Sequence, residues 1–341
     1  MKQKIDRLAA HLLSLSNRRE RVDLFPHVNL DGDALGSALA LLLALEKLSV
    51  AVRLPLDEPV PPKLDFLPAL AKISPVDTAG TGWMTQPEHT LALLLDCADP
   101  QRTGKREPGC VLASERWVLD HHIARRPLGE TELVDTGAAA CAELVYDLLR
   151  SLEMQSGIPL LGPDEKMLLM TALISDTGGF VYSNTSARSF TIAADLIHRE
   201  MDLRQITYRL FHQSSLARLR LKGYFCSQAR FSFDDRIVSA AVDPATLDLY
   251  QATDDDLDGM INELKNVAGV DLAMILRLQA DGQIRVNLRT STAIDASQLA
   301  ALFGGGGHPR AAGMTLEGWS LVEAETMLLQ KAGDALSHPC A

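Results

Sequence analysis

Through Arg199 the chain repeats one order of positions: a short apolar run, a polar loop, then a longer stretch of helical period. Val22–Pro26 is the first run, and a helix is expected over Asp33–Leu48 after it. Val50–Leu54 is the next, after which Pro55, Pro59, Pro61 and Pro62 argue against a long regular element. The next loop is expected to end near Glu88. Leu91–Leu95 and Trp117–Leu119 are short and wholly apolar, the pattern of strands buried on both faces. Helices are expected over Ala138–Leu152, Pro163–Ile174 and Ser186–Arg199. This alternation predicts an α/β fold with a doubly wound parallel sheet.

Leu203 to about Gln228 reads as one or two helices rich in Arg and Leu, a connector. From Ala229 onward strands are expected over Arg230–Val242, Asp271–Gln279 and Gln283–Arg289, with Asp281-Gly282 as a hairpin turn. Helices are expected over Asp254–Asn266, Asp295–Leu302 and Ser320–Ala335, giving a second, smaller α/β lobe with a mixed sheet. The expected division is 1–200, a helical connector over 201–228, and 229–341.

Composition narrows the setting. Hydrophobic residues make up 47% of the 341, enough for a core in each lobe. The five cysteines (Cys97, Cys110, Cys141, Cys226 and Cys340) are odd in number and form no CxxC pair. They argue against a disulfide framework or zinc ribbon and for a reducing compartment, the cytoplasm. The first twenty residues read as an amphipathic helix without a signal-peptide h-region. The apolar stretch Ala34–Leu45 is interrupted by Gly36 and Ser37 and falls short of the ~20 residues of a membrane span. A net charge of −11 disfavours a long nucleic-acid partner, which calls for a basic surface. Small anions, captured by a few cations and metals, remain open as substrates.

Three clusters of acidic or histidine residues leave the ends of expected strands: His27-Val28-Asn29-Leu30-Asp31-Gly32-Asp33, Asp96, and Asp120-His121-His122. A fourth, Asp176-Thr177-Gly178-Gly179, ends the helix Pro163–Ile174. The carboxyl ends of parallel strands share one ligand-binding edge, so these distant residues are expected to meet there. Singly, each has a bland reading as a helix cap, a turn or a surface pair. Together, carboxylates and imidazoles without thiolates suit a hard or borderline divalent ion. Their number suits two such ions about 3.5–4 Å apart, sharing a carboxylate and activating water for attack on phosphorus. In the second lobe Gly304 to Gly307 form a glycine run followed by His308 and Arg310, with Arg289 ending the hairpin strand. Glycines bring backbone N–H groups close to an anion, and His308 and Arg310 add cationic donors beside them.

These motifs, in this order, resemble the DHH phosphoesterase family. Asp120-His121-His122 is similar to the eponymous triplet, His27 to Ser37 to the first motif, Asp96 to the second and Asp176-Thr177-Gly178 to the fourth. Gly304 to Gly313 resembles the signature of the DHH-associated C-terminal domain. Leu30 stands where the family often has proline, and Asn287 where relatives often have serine. The resemblance implies that His27 and Asp31 hold one metal and Asp33, His121 and Asp176 the other, with Asp96 bridging. It gives His122 to the substrate phosphate and Asp120 to orienting the histidines. Arg289, Gly305, Gly306, Gly307, His308 and Arg310 would bind substrate, placing the active site in the cleft between lobes.

Length and layout are most similar to the nanoRNase and 3′-phosphoadenosine 5′-phosphate phosphatase branch. The implied activity is hydrolysis of short oligoribonucleotides or linear dinucleotides to mononucleotides, with two divalent ions, Mn²⁺ before Mg²⁺. Partners implied are small nucleotides and a second copy of the chain, with neither long nucleic acid nor membrane. The alternatives carried forward are a phosphodiesterase of cyclic di-AMP or its linear product, and a catalytically silent nucleotide-binding protein. Phe180 and Tyr182, beside the fourth motif, read as packing residues before base-stacking ones.

Overall fold

The computed structural model describes residues 1–79, 82–84, 89–123, 129–257, 259–291 and 293–337. The loop end expected near Glu88, and Cys340, lie outside them. The chain divides into two compact units, Met1–Gln213 and Ser214–Ala341.

The first unit contains α1 (Lys2–Ser14), β1 (Arg21–Pro26), α2 (Gly32–Lys47), β2 (Ala51–Leu56), β3 (Ile73–Pro75), β4 (Thr90–Leu95) and α3 (Glu107–Leu112). It continues with β5 (Glu115–Asp120), β6 (Glu132–Val134), α4 (Cys141–Ser156), α5 (Pro163–Asp176), α6 (Ala187–Leu196) and α7 (Leu203–Thr207). All strand pairs are parallel, in the order β3-β2-β1-β4-β5-β6. The order reverses between β1 and β4, the switch point at which open α/β sheets bind ligands. Register aligns the strand ends: Pro26 pairs with Leu95, and Leu95 with Leu119. The next residues along each chain segment, His27, Asp96 and Asp120, therefore leave the sheet side by side.

The apolar stretch Ala34–Leu45 lies in α2, a helix buried almost all round because the sheet, α4 and α5 enclose it. Among the described residues no helix is long and apolar enough to cross a membrane. Helices α2 and α5 approach closely through glycine. A Cβ on Gly32 would stand 2.6 Å from the Ser175 side chain, and one on Gly36 2.6 Å from the Leu168 carbonyl oxygen. This contact brings the C-terminus of α5, with Asp176, to the N-terminus of α2, with Asp31 and Asp33.

The second unit contains α8 (Leu216–Gln228), β7 (Arg230–Ser232), β8 (Ile237–Val242), α9 (Pro244–Tyr250), α10 (Asp254–Leu257), α11 (Met260–Lys265) and β9 (Leu272–Leu278). It ends with β10 (Ile284–Thr290), α12 (Ala296–Ala301), β11 (Gly306–His308), β12 (Ala311–Leu316) and α13 (Leu321–Ser337). Its mixed sheet runs β11-β12-β10-β9-β8-β7, with β8 and β9 parallel and the other neighbours antiparallel. Met274, Leu276, Val286 and Leu288 pack with Leu299 of α12 and Leu328 of α13. Val238, Ala240 and Ala273 pack with Leu221 and Phe225 of α8 and Leu264 of α11.

Two expected elements are broken. The strand over Arg230–Val242 is a hairpin, because Phe233, Asp234 and Asp235 all take left-handed backbone angles. The helix over Asp254–Asn266 is interrupted near Gly259, whose φ is +76°. The glycine run is not a free loop: Gly306 and Gly307 lie in β11 and pair with Gly313 and Ala312.

Candidate metal centre

The centre is built at the β1/β4 switch point from groups that sequence separates widely. His27 leaves β1 buried, its Nδ1 2.8 Å from the Val28 carbonyl oxygen, so Nδ1 is the protonated nitrogen and Nε2 faces inward. That Nε2 stands 3.2 Å from Asp96 Oδ2 and 3.7 Å from Asp31 Oδ2. Asp31 caps α2, its Oδ1 accepting from the Ala34 N–H at 2.9 Å, which leaves Oδ2 for the site. In the first turn of the same helix, Asp33 is wholly buried. Its carboxylate accepts from Ser37 Oγ (3.0 Å) and from the Cys141 and Ala142 N–H groups that open α4 (2.5 and 2.9 Å). A helix N-terminus is where a buried carboxylate is best received.

Asp96 is the hub. It is buried and holds φ at +60°, a region that costs a non-glycine residue of order 1–3 kcal/mol and that clusters at functional sites. Its Oδ2 faces His27, while its Oδ1 stands 3.2 Å from His121 Nε2 and 3.5 Å from His122 Nδ1. His121 Nε2 also lies 3.1 Å from Asp176 Oδ2 and 3.8 Å from Asp33 Oδ2. Asp120 Oδ1 accepts from the His121 and His122 N–H groups (2.8 and 3.1 Å) and from His122 Nδ1 (2.8 Å). This carboxylate fixes both neighbours and leaves the half-exposed His122 ring with Nε2 outward.

Three donor groups result: His27 with Asp31 and Asp96, Asp33 with His121 and Asp176, and Asp96 with His121 and His122; each keeps its ligand atoms within 4.8 Å of one another. Two tests show that a cation fits. First, Asp96 Oδ1 and His121 Nε2 are buried 3.2 Å apart, yet neither has a hydrogen-bond partner. Two buried polar atoms this close, neither satisfied within the protein, leave a place that a cation would satisfy. Second, the centre demands positive charge. Burial and the carboxylates of Asp96 and Asp176 push Asp33 well above its ordinary range; burial and Asp96 raise Asp31. Burial opposes charge on His121, but Asp176 and Asp96 outweigh it and push the ring up to about 11. Burial likewise opposes charge on His27, which Asp96 and Val28 nevertheless raise. For Asp96, burial acts upward and is overcome by His121 and His27, which hold it at about 2. Imidazolium charge thus stands where divalent charge would serve.

In the second unit Arg289 pairs with Ala311, and His308 pairs with the same Ala311 from the other side. Cross-strand partners share a face, so Arg289 and His308 stand on one row, a small residue between them. A Cβ on Gly305 would lie 2.4 Å from the Gly313 carbonyl oxygen, and one on Gly307 2.5 Å from that of Ala311. The Gly304 and Gly305 N–H groups donate to the Ala301 and Ala300 carbonyls. The run's first task is therefore close packing at the end of α12, while His308 stays exposed. Arg310 is exposed and hydrogen-bonds the Ser291 carbonyl.

Several supporting contacts escaped the reading of the sequence: the bond from Ser37 to Asp33, the Cys141 and Ala142 amides, Glu58 and Asn184. Glu58 accepts from the N–H of Asn29, itself at φ +59°, and so holds the first motif's turn. Ser37 alone had a local signal, four residues after Asp33 on one helix face. Phe180 stacks on Phe190 with centroids 5.1 Å apart, whereas Tyr182 is exposed.

Residues 21–173 match the family model described as DHH family, N-terminal domain, and residues 239–337 the model for the DHHA1 domain. A bifunctional oligoribonuclease and PAP phosphatase NrnA of Thermus thermophilus is 30% identical over 316 residues, 92% of this chain and 89% of that protein. Its Bacillus subtilis namesake is 27% identical over 315 residues, 91% of this chain and 93% of that protein. An exopolyphosphatase-related protein of Bacteroides fragilis superposes with a TM-score of 0.85 at 22% identity, over 99% of this chain and 98% of that one. Thermus thermophilus RecJ, solved with Mn²⁺, gives 0.56 at 13% identity over 98% of this chain and 54% of its own.

Proposed function

Because this chain belongs to the DHH family of phosphoesterases, we propose that it hydrolyses short oligoribonucleotides and linear dinucleotides to mononucleotides, and 3′-phosphoadenosine 5′-phosphate to AMP. The observation that carries the reading is the sharing of Asp96 and His121 among three donor groups at one strand edge. The relatives named as oligoribonuclease and PAP phosphatase, aligned over most of the chain, support the substrate class.

In this reading His27, Asp31 and Asp96 would hold one divalent ion, and Asp33, His121 and Asp176 another; Mn²⁺ is the first candidate and Mg²⁺ the second. Such ions, when bound, supply Lewis acidity: a more acidic attacking water and compensation of charge on the phosphoryl oxygens. Asp120 orients the His122 ring by accepting from Nδ1, so that the ring, when doubly protonated, presents an outward Nε2–H donor to a phosphoryl oxygen. Arg289 and His308 hold a terminal phosphate, with Arg310 and Gly305, Gly306 and Gly307 shaping that subsite. Holding the terminal phosphate sets register and favours short substrates.

The test is product analysis with purified protein and Mn²⁺. The substrates are 5′-phosphorylated RNAs from dimer to heptamer and 3′-phosphoadenosine 5′-phosphate, with Asp96→Ala as control. Mononucleotide release fastest from the shortest RNAs and absent in the control is expected. No release from any of them by metal-loaded protein would sink the proposal and direct the search to cyclic dinucleotides.

A further inference from the structure

The donors Asp33, His121 and Asp176 come from three separate elements, so their mutual placement depends on what ties those elements together. Asp33 takes its orientation from the amides that open α4. Asp176 is the last residue of α5. Glycine packing joins α5 to α2, and a direct tie between the end of α5 and the start of α4 is made by one side chain. The Nδ2 group of Asn184 donates to the Asp176 carbonyl oxygen at 3.0 Å and to the Ala139 carbonyl oxygen at 2.9 Å. Ala139 immediately precedes Ala140, the N-cap of α4. An amide NH₂ has two protons to give, and here each goes to one of the two segments.

We infer that Asn184 is a positioning residue for the ion group of Asp33, His121 and Asp176, an assignment that rests on the metal reading above. Its amide spans the segment that ends in one ligand and the segment that orients another. The two helices nearby are joined by other side chains: Ser189 Oγ donates to Glu143 Oε1 at 2.7 Å, and Arg188 pairs with Glu143 Oε2 at 3.0 Å. Those contacts already fasten α6 to α4, and Asn184 itself is exposed. Its loss should therefore disturb the register of the donors more than folding. An aspartate there keeps the shape but sets a carboxylate oxygen against two carbonyl oxygens, removing the donor.

The experiment is calorimetric Mn²⁺ titration of the full chain, tracked in parallel by the paramagnetic resonance of free Mn²⁺, for wild type, Asn184→Asp and Asn184→Ala. Wild type is expected to take up two ions. Both variants are expected to bind one of them about tenfold or more weaker, the usual cost of losing a partner behind a ligand. The other ion and the metal-free melting temperature should stay near wild type. Unchanged isotherms in both variants would overturn the inference. Equal weakening of both ions, or a large fall in metal-free stability, would overturn it too by making Asn184 a general structural tie. Wild type that binds no Mn²⁺, or Asp176→Ala that binds like wild type, would instead mark failure of the metal reading itself.

Discussion

In the first unit the candidate groups are crowded and mutually charged, and four of them, His27, Asp33, Asp96 and Asp120, have almost no exposed surface. In the second, His308 and Arg310 are exposed, and the half-buried Arg289 side chain hydrogen-bonds its neighbour's carbonyl, at 3.1 Å. Burial makes the first set compulsory: carboxylates this close in a dry site need a counter-charge, whether imidazolium or metal. Exposure leaves the second set optional, because water solvates an unused guanidinium at no cost. The units also use glycine toward different ends. In the first, Gly32 and Gly36 bring two helices, and with them three carboxylates, together; in the second, Gly305 and Gly307 let strand backbones meet. The proposed division is that the buried set does chemistry while the exposed set holds substrate.

The sharpest break in that division comes from paired substitutions. Asp96→Asn should lower kcat on a linear dinucleotide by about 10²–10⁴-fold, the range typical of a lost catalytic group. Arg289→Ala should act mainly on KM, roughly tenfold or more, since a hydrogen bond to a charged group is worth about 1.5–3 kcal/mol. Steady-state kinetics decides, and equal losses of kcat in both variants would collapse the distinction. Next in size is metal removal. Chelation should destabilise the first unit by about 2.7 kcal/mol relative to ion at a hundred times its dissociation constant. Amide exchange should quicken in α2 and α5 and stay unchanged in β9 and β10; acceleration in both units would contradict the reading. The smallest effect comes from the glycines. Gly36→Ala and Gly307→Ala should each cost about 1–3 kcal/mol in urea unfolding, because their Cβ atoms would stand 2.6 and 2.5 Å from carbonyl oxygens. Only Gly36→Ala should also weaken Mn²⁺ binding.

Much of the first unit was legible because parallel strands buried on both faces read as unbroken apolar runs, and because such strands deliver the residues beyond their carboxyl ends to one edge. His27, Asp96 and the Asp120–His122 triplet needed no more than that. Asp176 was harder, since its place beside Asp33 depends on the α2–α5 contact, whose trace in the sequence is a pair of glycines inside an apolar helix. Asn184 and the Cys141 and Ala142 amides left no trace: an asparagine in a turn and a backbone N–H look alike wherever they are. In the second unit, the apolar character of Phe231, Ile237 and Val238 concealed a turn that Asp234 and Asp235 make by entering left-handed geometry. The glycine run carries no side-chain pattern, so the pairing of Gly306 and Gly307 with Gly313 and Ala312 could be seen only in register.

The spacing of the ion donors along the chain governs when they can act during synthesis. His27 and Asp31 are made early, but Asp176 comes only at the end of α5, and it must dock on α2 before the second donor group exists. Contacts so distant in sequence form late, after the loop entropy between them has been overcome. Until α5 docks, the group of Asp33, His121 and Asp176 lacks one of its three donors. In the proposed metal reading, selection among divalent ions would fall to the folded first unit, whose fixed distances would decide which ion is kept.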